Sequence, residues 1–205
     1  MITEGTTSAW RARQGPIRIG AVAALALAVA FVVWLVVRGN DSTSPARTTA
    51  AAPATAPKTK PTRVRTLVTA ATPTKLRALS SRTGHPIYWA GSKPKITYEL
   101  TRISNGQIYV RYLPKGVRVG DRHAAYLLVA TYPIANAYKA VKTAAKESGA
   151  VTFRIAHGGI AVYNQSATRN VYFAYPGSKY QVEVFDPKPG RARRLVKSGA
   201  IRPIA

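Results

Sequence analysis

The stretch TYELTRISNGQIYVRYL, residues 97–113, decides the fold class because it contains two runs in which apolar and polar residues alternate. A period of two residues predicts β-strands. Asn105 and Gly106 lie between the runs, and an Asn-Gly pair in this position is a strong signal for a β-hairpin. With these two residues as the turn, the expected cross-strand pairs are Ile103 with Ile108, Arg102 with Tyr109, and Thr101 with Val110.

Six more strand-like runs lie outside this hairpin. They cover residues 86–89, 125–131, 151–155, 160–163, 171–175 and 181–185. Gly158-Gly159 and Pro176-Gly177-Ser178 supply turn residues between consecutive runs. These short runs, spread over the C-terminal part of the chain, predict a mainly antiparallel sheet.

Two helical patterns interrupt the strands. The first covers residues 133–148, with Pro133 in the first turn and apolar residues recurring on one face. The second covers residues 187–198, with Asp186 as its N-cap. Its inner face is formed by Ala192, Leu195 and Val196, and its outward residues are Arg191, Arg193, Arg194 and Lys197. Strands and helices in this order predict an α+β domain with two helices.

A run of nineteen residues without a charge, IGAVAALALAVAFVVWLVV, occupies positions 19–37. As an α-helix it would be about 28 Å long, which matches a hydrocarbon core of about 30 Å. Ala28-Val29-Ala30 is typical of a signal-peptide cleavage site, but the run continues beyond it and exceeds the roughly 7–15 residues of a signal-peptide core. We therefore predict a retained transmembrane helix over residues 19–37, preceded by a short tail, residues 1–18.

The charges on either side of this helix predict its orientation. Arg11, Arg13 and Arg18 precede it, whereas Arg38 and Arg47 are the basic residues in the twenty positions after it. The positive-inside rule therefore favours a cytoplasmic N-terminus by one charge. Long C-terminal domains cross the membrane largely regardless of their own charge, so we expect a single-pass protein of the cytoplasmic membrane with its C-terminal domain outside.

Residues 38–75 differ from the rest of the chain in composition. Thr, Ala and Pro make up 23 of these 38 positions, and large apolar residues are almost absent. Such a segment buries too little apolar surface to offset its ordering entropy. We predict a disordered spacer over residues 38–75, followed by one domain over residues 76–205.

The chain is strongly basic and contains no cysteine. Its 205 residues include 31 Lys and Arg against 7 Asp and Glu, a net charge of +24. The lack of cysteine excludes disulfides, thiolate metal sites and cysteine nucleophiles. No two histidines stand at metal-binding spacing, so we predict no metal site and no cofactor. The charge favours polyanionic partners.

Four residues are the candidates for catalysis, and each also has a structural explanation. Glu99 and Glu183 lie inside strands, where a salt bridge or a solvated face explains a carboxylate. Asp121 stands two residues before a histidine in what is predicted to be a polar turn. His85 precedes a proline at the start of a strand. Geometry is needed to recognise a catalytic group among them.

The candidate ligand-binding surface combines cations with aromatic side chains, because tyrosines stack on sugar rings or bases while Arg and Lys hold anions. Tyrosines occur on nearly every predicted strand, but strand alternation prevents them all from sharing one face. The residues assigned to this surface are Arg191, Arg193, Arg194, Lys197, Arg102 and Tyr109.

Several blocks of the sequence resemble those of uncharacterised bacterial single-pass membrane proteins with an extracytoplasmic C-terminal domain. The blocks are GHPIYWAG (84–91), TYELT (97–101), YVRYLP (109–114), TYPIANAY (131–138) and VYFAYPGSKYQVEVFDP (171–187). The resemblance covers most of residues 79–204. It implies the location and the architecture described above, and it assigns no catalytic residues.

The sequence leaves three hypotheses for function. The leading one is a membrane-anchored binding module that contacts anionic wall polymers, lipid headgroups or a partner protein outside the membrane. The second is an envelope hydrolase acting on wall glycans or peptides, with the four candidates above as its catalytic groups. The third inverts the topology and makes the domain a cytoplasmic nucleic-acid binder, although no recognised nucleic-acid motif supports it.

Overall fold

The computed structural model describes residues 65–205, which form ten strands and three helices. The strands are β1 (Thr66–Ala71), β2 (Tyr88–Trp89), β3 (Ile96–Ile103), β4 (Ile108–Pro114), β5 (Leu128–Pro133), β6 (Ala150–Arg154), β7 (Ile160–Asn164), β8 (Asn170–Ala174), β9 (Tyr180–Phe185) and β10 (Arg202–Pro203). The helices are α1 (Pro73–Thr83), α2 (Ala137–Ala144) and α3 (Arg191–Lys197). The predicted transmembrane helix, the N-terminal tail and most of the predicted spacer lie outside the described residues. Within residues 65–205, no helix has the length and apolar character needed to cross a membrane.

Eight strands form one antiparallel sheet in the order β1-β3-β4-β5-β9-β8-β7-β6, and β10 pairs with β2 separately. The α+β class and the mainly antiparallel sheet are therefore confirmed. β1 and β6 are the two edge strands. Among the strands of residues 65–205, each has a hydrogen-bonded neighbour on one side only.

The hairpin between β3 and β4 has a three-residue loop, and the predicted register is wrong by one residue. Ile103 N–H donates to the carbonyl of Gln107 at 3.0 Å, and Gly106 adopts φ = +87°. A three-residue hairpin loop uses a left-handed residue at this position, which glycine adopts without steric cost. Thr101 therefore pairs with Tyr109. The shift also places Glu99 opposite Arg111.

The sheet has two faces that are covered differently. On the first face, α1 and α3 bury Leu76, Leu79, Ala192 and Val196 against the apolar residues of the central strands. On the second face, α2 packs over β7, β8 and β9. The rest of the second face carries the polar residues of β3, β4, β5 and β9, several of which are buried.

The fold begins earlier in the chain than predicted, and the predicted boundary at residue 75 is wrong. β1 lies within the predicted spacer and pairs along its whole length with β3. Its first five residues are exposed, so the strand carries little of the hydrophobic signal that marks a core element. The next helix, α1, was not predicted, which makes three helices where two were expected. Thr72 caps it by accepting from Lys75 N–H at 3.2 Å.

Both predicted helices are shorter in the structure. Pro133, expected in the first turn of a helix, is the last residue of β5, and α2 begins at Ala137. Asp186, expected as an N-cap, precedes α3 by several residues, and Gly190 takes the N-cap position with φ = +73°. Asp186 Oδ1 instead accepts from Lys188 N–H at 2.9 Å, which closes a turn before the helix.

Candidate anion-binding groove

A groove of about 390 Å³ lies on the first face between α3 and the outer strands β6 and β7. One wall is formed by three exposed cations of α3, namely Arg193, Arg194 and Lys197. The opposite side is formed by Val151, Thr152, Phe153 and Tyr163. This arrangement arises because α3 packs over β8 and β9 and leaves β6 and β7 uncovered on this face.

Arg193 is held in position by the aromatic side of the groove. Its Nη1 donates to the hydroxyl of Tyr163 at 3.0 Å, and its guanidinium lies 5.6 Å from the centre of the same ring. Phe153 packs beside this ring at a centroid distance of 6.5 Å. A cation already positioned against an aromatic ring loses little side-chain entropy when an anion binds.

The other predicted ligand residues lie outside this groove. Arg191 forms an ion pair with the buried carboxylate of Asp186, with Nε 3.4 Å from Oδ2. Arg102 lies on the first face of β3, opposite Ile108. Tyr109 is buried on the second face, where its hydroxyl donates to Gln107 Oε1 at 2.6 Å. The structure therefore brings Arg193, Arg194 and Lys197 together and separates Arg102 and Tyr109 from them.

Glu99 is buried in an ion pair that holds the loop between β4 and β5. Arg111 Nη1 lies 2.7 Å from Glu99 Oε1, and Gly120 N–H donates to Oε2 at 2.5 Å. Arg111 also donates to the carbonyl oxygens of Asp121 and His123 at 2.7 and 2.9 Å. The carboxylate and the guanidinium thus bind loop backbone, which is a structural role.

Asp121 and His123 form a pair on the surface of the same loop. Asp121 Oδ1 accepts from His123 N–H at 2.8 Å and lies 2.9 Å from its Nδ1. The backbone hydrogen bond from His123 lowers the pKa of Asp121. His85 is elsewhere, beside Tyr180 at a centroid distance of 5.6 Å. The structure does not bring His85 together with Asp121.

Glu183 is buried on the second face and accepts three hydrogen bonds. Tyr132 donates its hydroxyl to Oε2, while Asn170 Nδ2 and the Tyr172 hydroxyl lie 2.5 and 3.1 Å from Oε1. Burial raises the pKa of Glu183, and the three donors act in the opposite direction. Burial also raises the pKa of neighbouring Tyr109 to about 12. Burial likewise raises the pKa of Tyr132 and Tyr172 well above 10, so both hydroxyls that contact the carboxylate are donors at neutral pH.

Glu99 and Glu183 are too far apart to form a pair of catalytic carboxylates. They lie on β3 and β9, with β4 and β5 between them. Three strand spacings of about 4.8 Å separate these strands by about 14 Å. Glycosidase carboxylates stand about 5–9.5 Å apart.

Gln181 lies on the second face and is fully buried, and neither Nε2 nor Oε1 of its amide has a hydrogen-bond partner. A buried amide without partners loses its hydration without compensation. We expect Gln181→Met, which keeps the length of the side chain, to raise the free energy of unfolding by about 1 kcal/mol. Urea denaturation of both proteins measures this difference. A loss of stability would show that the amide is bonded in the folded protein.

The described residues hold no cluster of three His, Asp or Glu side chains suited to a metal ion. A second groove, of about 350 Å³, lies at the turn between β6 and β7. Tyr88, His157, Tyr175 and Ile201 line it, and it lacks the row of cations that defines the first groove.

The aromatic half of the first groove does not follow from the sequence patterns. Phe153 and Tyr163 lie on adjacent strands, and their contact depends on the register of β6 against β7, in which Phe153 pairs with Ala161. Both strands were predicted. The groove could have been recognised from half-buried apolar residues on the last strands of the sheet, namely Val151, Phe153 and Tyr163, if these strands were known to lie beside the basic face of α3.

We found no match to this chain among protein-family models, curated proteins or solved structures.

Proposed function

We propose that this protein is a membrane-anchored binding module that holds an anionic polymer of the cell envelope in the groove between α3 and β6–β7. The observation that carries the proposal is the meeting of three exposed cations with an aromatic side in a single groove. Residues 65–205 carry 23 basic and 5 acidic residues, so the surrounding field also attracts anions.

The positions of the cations favour a polymer over a single small anion. Arg193 and Lys197 are four residues apart on α3, which places their side chains about 6 Å apart on one side of the helix. Neighbouring cations at this spacing hold successive charges of one polyanion. The ring of Tyr163 offers a surface on which the uncharged part of a repeat unit packs.

The location in this proposal rests on the uncharged run at residues 19–37 and on the charges that flank it. Outside the cytoplasmic membrane the abundant polyanions are wall polymers and lipid headgroups. The alternative of an envelope hydrolase draws no support from its four candidate residues, because Glu99 and Glu183 are both buried among structural partners and His85 stands apart from Asp121.

The groove is tested with the full chain in nanodiscs of neutral lipid and a fluorescent poly(glycerol phosphate) as the probe. The variant Arg193→Ala/Arg194→Ala/Lys197→Ala is expected to bind about 100-fold more weakly at low salt, since three charge-assisted contacts of about 1 kcal/mol each are lost. Anisotropy titrations measure the affinity.

The matched control removes the same charge from another helix. Lys139, Lys142 and Lys146 are exposed on or directly after α2, and their replacement by alanine is expected to change the affinity less than about 3-fold. Equal losses in the two triple variants would mean that net charge alone attracts the polymer and would contradict the groove. Tighter binding of single-stranded DNA than of the polymer would favour the nucleic-acid alternative.

Protease treatment of intact spheroplasts tests the location. Digestion of the C-terminal domain is expected if it lies outside the membrane. Protection in intact spheroplasts, followed by digestion after lysis, would overturn the orientation and leave the groove itself unaffected.

A further inference from the structure

β1 is an edge strand with exposed apolar side chains. It pairs with β3 on one side, and no other strand of residues 65–205 pairs with its outer side. Leu67 and Val68 are 54% and 39% exposed and are the two exposed large hydrophobic residues within residues 65–205. Consecutive residues of a strand point to opposite faces, so this edge is apolar on both faces. A strand with these properties is suited to pairing with another strand.

The hydrogen bonds of the first residues show which peptide groups of β1 point outward. The carbonyl of Arg65 accepts from Ser104 N–H at 2.9 Å. The backbone N–H and C=O groups of Arg65 are therefore directed toward β3. Peptide groups of an antiparallel strand alternate between its two sides. The N–H and C=O groups of Thr66, Val68 and Ala70 are therefore directed away from β3.

The outer edge of β1 differs in charge from the rest of the domain. Residues 66–74 contain no charged side chain, although residues 65–205 as a whole have a net charge of +18. An acidic partner would find no complementary charge on this strand, whereas a second copy would meet no like charge there. The segment before β1 is poorly suited to the edge, because Pro57 and Pro61 have no N–H to donate to a ladder.

We infer that two copies of this chain pair through β1 in antiparallel fashion, with Val68 opposite Val68 on the two-fold axis. This register is symmetric about Val68, and it pairs Thr66 of each copy with Ala70 of the other. All three outward residues then take part in the ladder, and Leu67 lies against Thr69 of the second copy. The two sheets join into one continuous sheet.

The predicted membrane anchor makes this contact effective. A pair of six-residue strands buries less than the roughly 1,200 Å² of a standard interface, so the affinity in free solution is low. Two copies held in one membrane meet at a much higher effective concentration. The inference goes beyond the proposed function, since it uses the opposite end of the sheet from the groove.

Disulfide trapping tests both the pairing and its register, because the chain contains no cysteine of its own. Full-length Leu67→Cys and Thr69→Cys are reconstituted into liposomes separately and as an equal mixture, and are then oxidised. The mixture is expected to cross-link in up to about half of its chains, the share of mixed pairs in a symmetric dimer. Each variant alone is expected to cross-link little, because two residue-67 positions lie about 8 Å apart, beyond the roughly 7 Å that a disulfide spans.

The second test substitutes Val68, the residue on the two-fold axis of the inferred dimer. Val68→Lys in both cysteine variants places two ammonium groups against each other and is expected to abolish the cross-link. Thr143→Lys, at an exposed position on α2 outside the groove, is the matched control and is expected to retain it. Both variants are checked for folding by their binding to poly(glycerol phosphate).

Three results would overturn the inference. One is an absence of cross-linking in the mixture. Another is cross-linking of the single variants as strong as that of the mixture, which would indicate random collision. The third is a cross-link that Val68→Lys does not reduce more than Thr143→Lys does. None of them bears on anion binding by the groove, which is measured in the same liposomes.

Discussion

Replacing Arg111 with methionine is expected to lower the free energy of unfolding by about 3–5 kcal/mol, because it leaves the buried carboxylate of Glu99 without its counter-ion. Glu99 is 2% exposed, and its remaining hydrogen bond comes from Gly120 N–H. The change also removes the two donors that hold the carbonyl oxygens of Asp121 and His123. Urea denaturation of the full chain in detergent, followed by circular dichroism, measures the loss.

Two further variants test whether the effect comes from the ion pair. Arg154→Met removes an exposed strand arginine and is expected to cost less than about 0.5 kcal/mol. Adding Glu99→Gln to Arg111→Met is expected to recover part of the loss, since the unpaired charge disappears while the loop contacts stay broken. A loss below about 1 kcal/mol for Arg111→Met would mean that the loop is held by other contacts.

The stability of the protein is expected to fall as the pH rises above about 4.5, through the buried carboxyl group of Glu183. Burial raises the pKa of Glu183 from 4.5 in the folded protein. Below the unfolded pKa both states are protonated, so the group has no effect. At higher pH the unfolded state releases its proton first, and the free energy of unfolding falls by up to about 1.4 kcal/mol per pH unit until the folded pKa is reached.

Glu183→Gln is expected to remove this dependence of stability on pH. The amide keeps the shape of the side chain, and the hydroxyl of Tyr132 or Tyr172 can rotate to accept from it. The variant is expected to be at least as stable as the wild type at pH 7 and to show a flatter pH profile between pH 4 and 8. Glu147→Gln, at a half-buried position after α2, is the control for losing a carboxylate. A profile for Glu183→Gln that matches the wild type would show that Glu183 ionises normally in the folded protein.

The alternating runs predicted the strands well, because a half-buried sheet imposes a period of two on its residues. The register of the first hairpin was wrong because an Asn-Gly pair serves both two-residue and three-residue loops. The three-residue loop is fixed by the hydrogen bond from Ile103 N–H to the carbonyl of Gln107. Both atoms belong to the backbone, so the side chains in the sequence do not indicate this bond. This one-residue shift in the register of β3 against β4 places Glu99 opposite Arg111.

β1 and α1 were missed because their composition is that of a spacer. β1 contributes to the sheet through its backbone, and a single residue of it, Ala71, is buried. α1 buries two leucines, Leu76 and Leu79, which is too few to give a clear helical period. The predicted helix at residues 133–148 began too early because Pro133 suits the first turn of a helix and the end of a strand equally well.

The candidate site was predicted in part. Arg193, Arg194 and Lys197 stand close together in the sequence, so one helical turn is enough to place them side by side. Phe153 and Tyr163 reach them from distant positions, and only the order of the strands in the sheet makes that contact. Tyr109 was predicted to lie on the ligand-binding surface because of its aromatic ring. Its position on β4 instead buries the side chain on the second face of the sheet.

The place where the chain joins the fold has a mechanical consequence. A pull between a ligand in the proposed groove and the proposed membrane anchor would run from β6 to Thr66, across the whole width of the sheet. Force in this direction breaks the hydrogen bonds between β1 and β3 one after another, beginning at the pair Thr66 and Ile103, and so requires less load than shearing them together. We expect β1 to peel away first under tension. A second copy bound along its outer edge would hold the strand from both sides and raise that load.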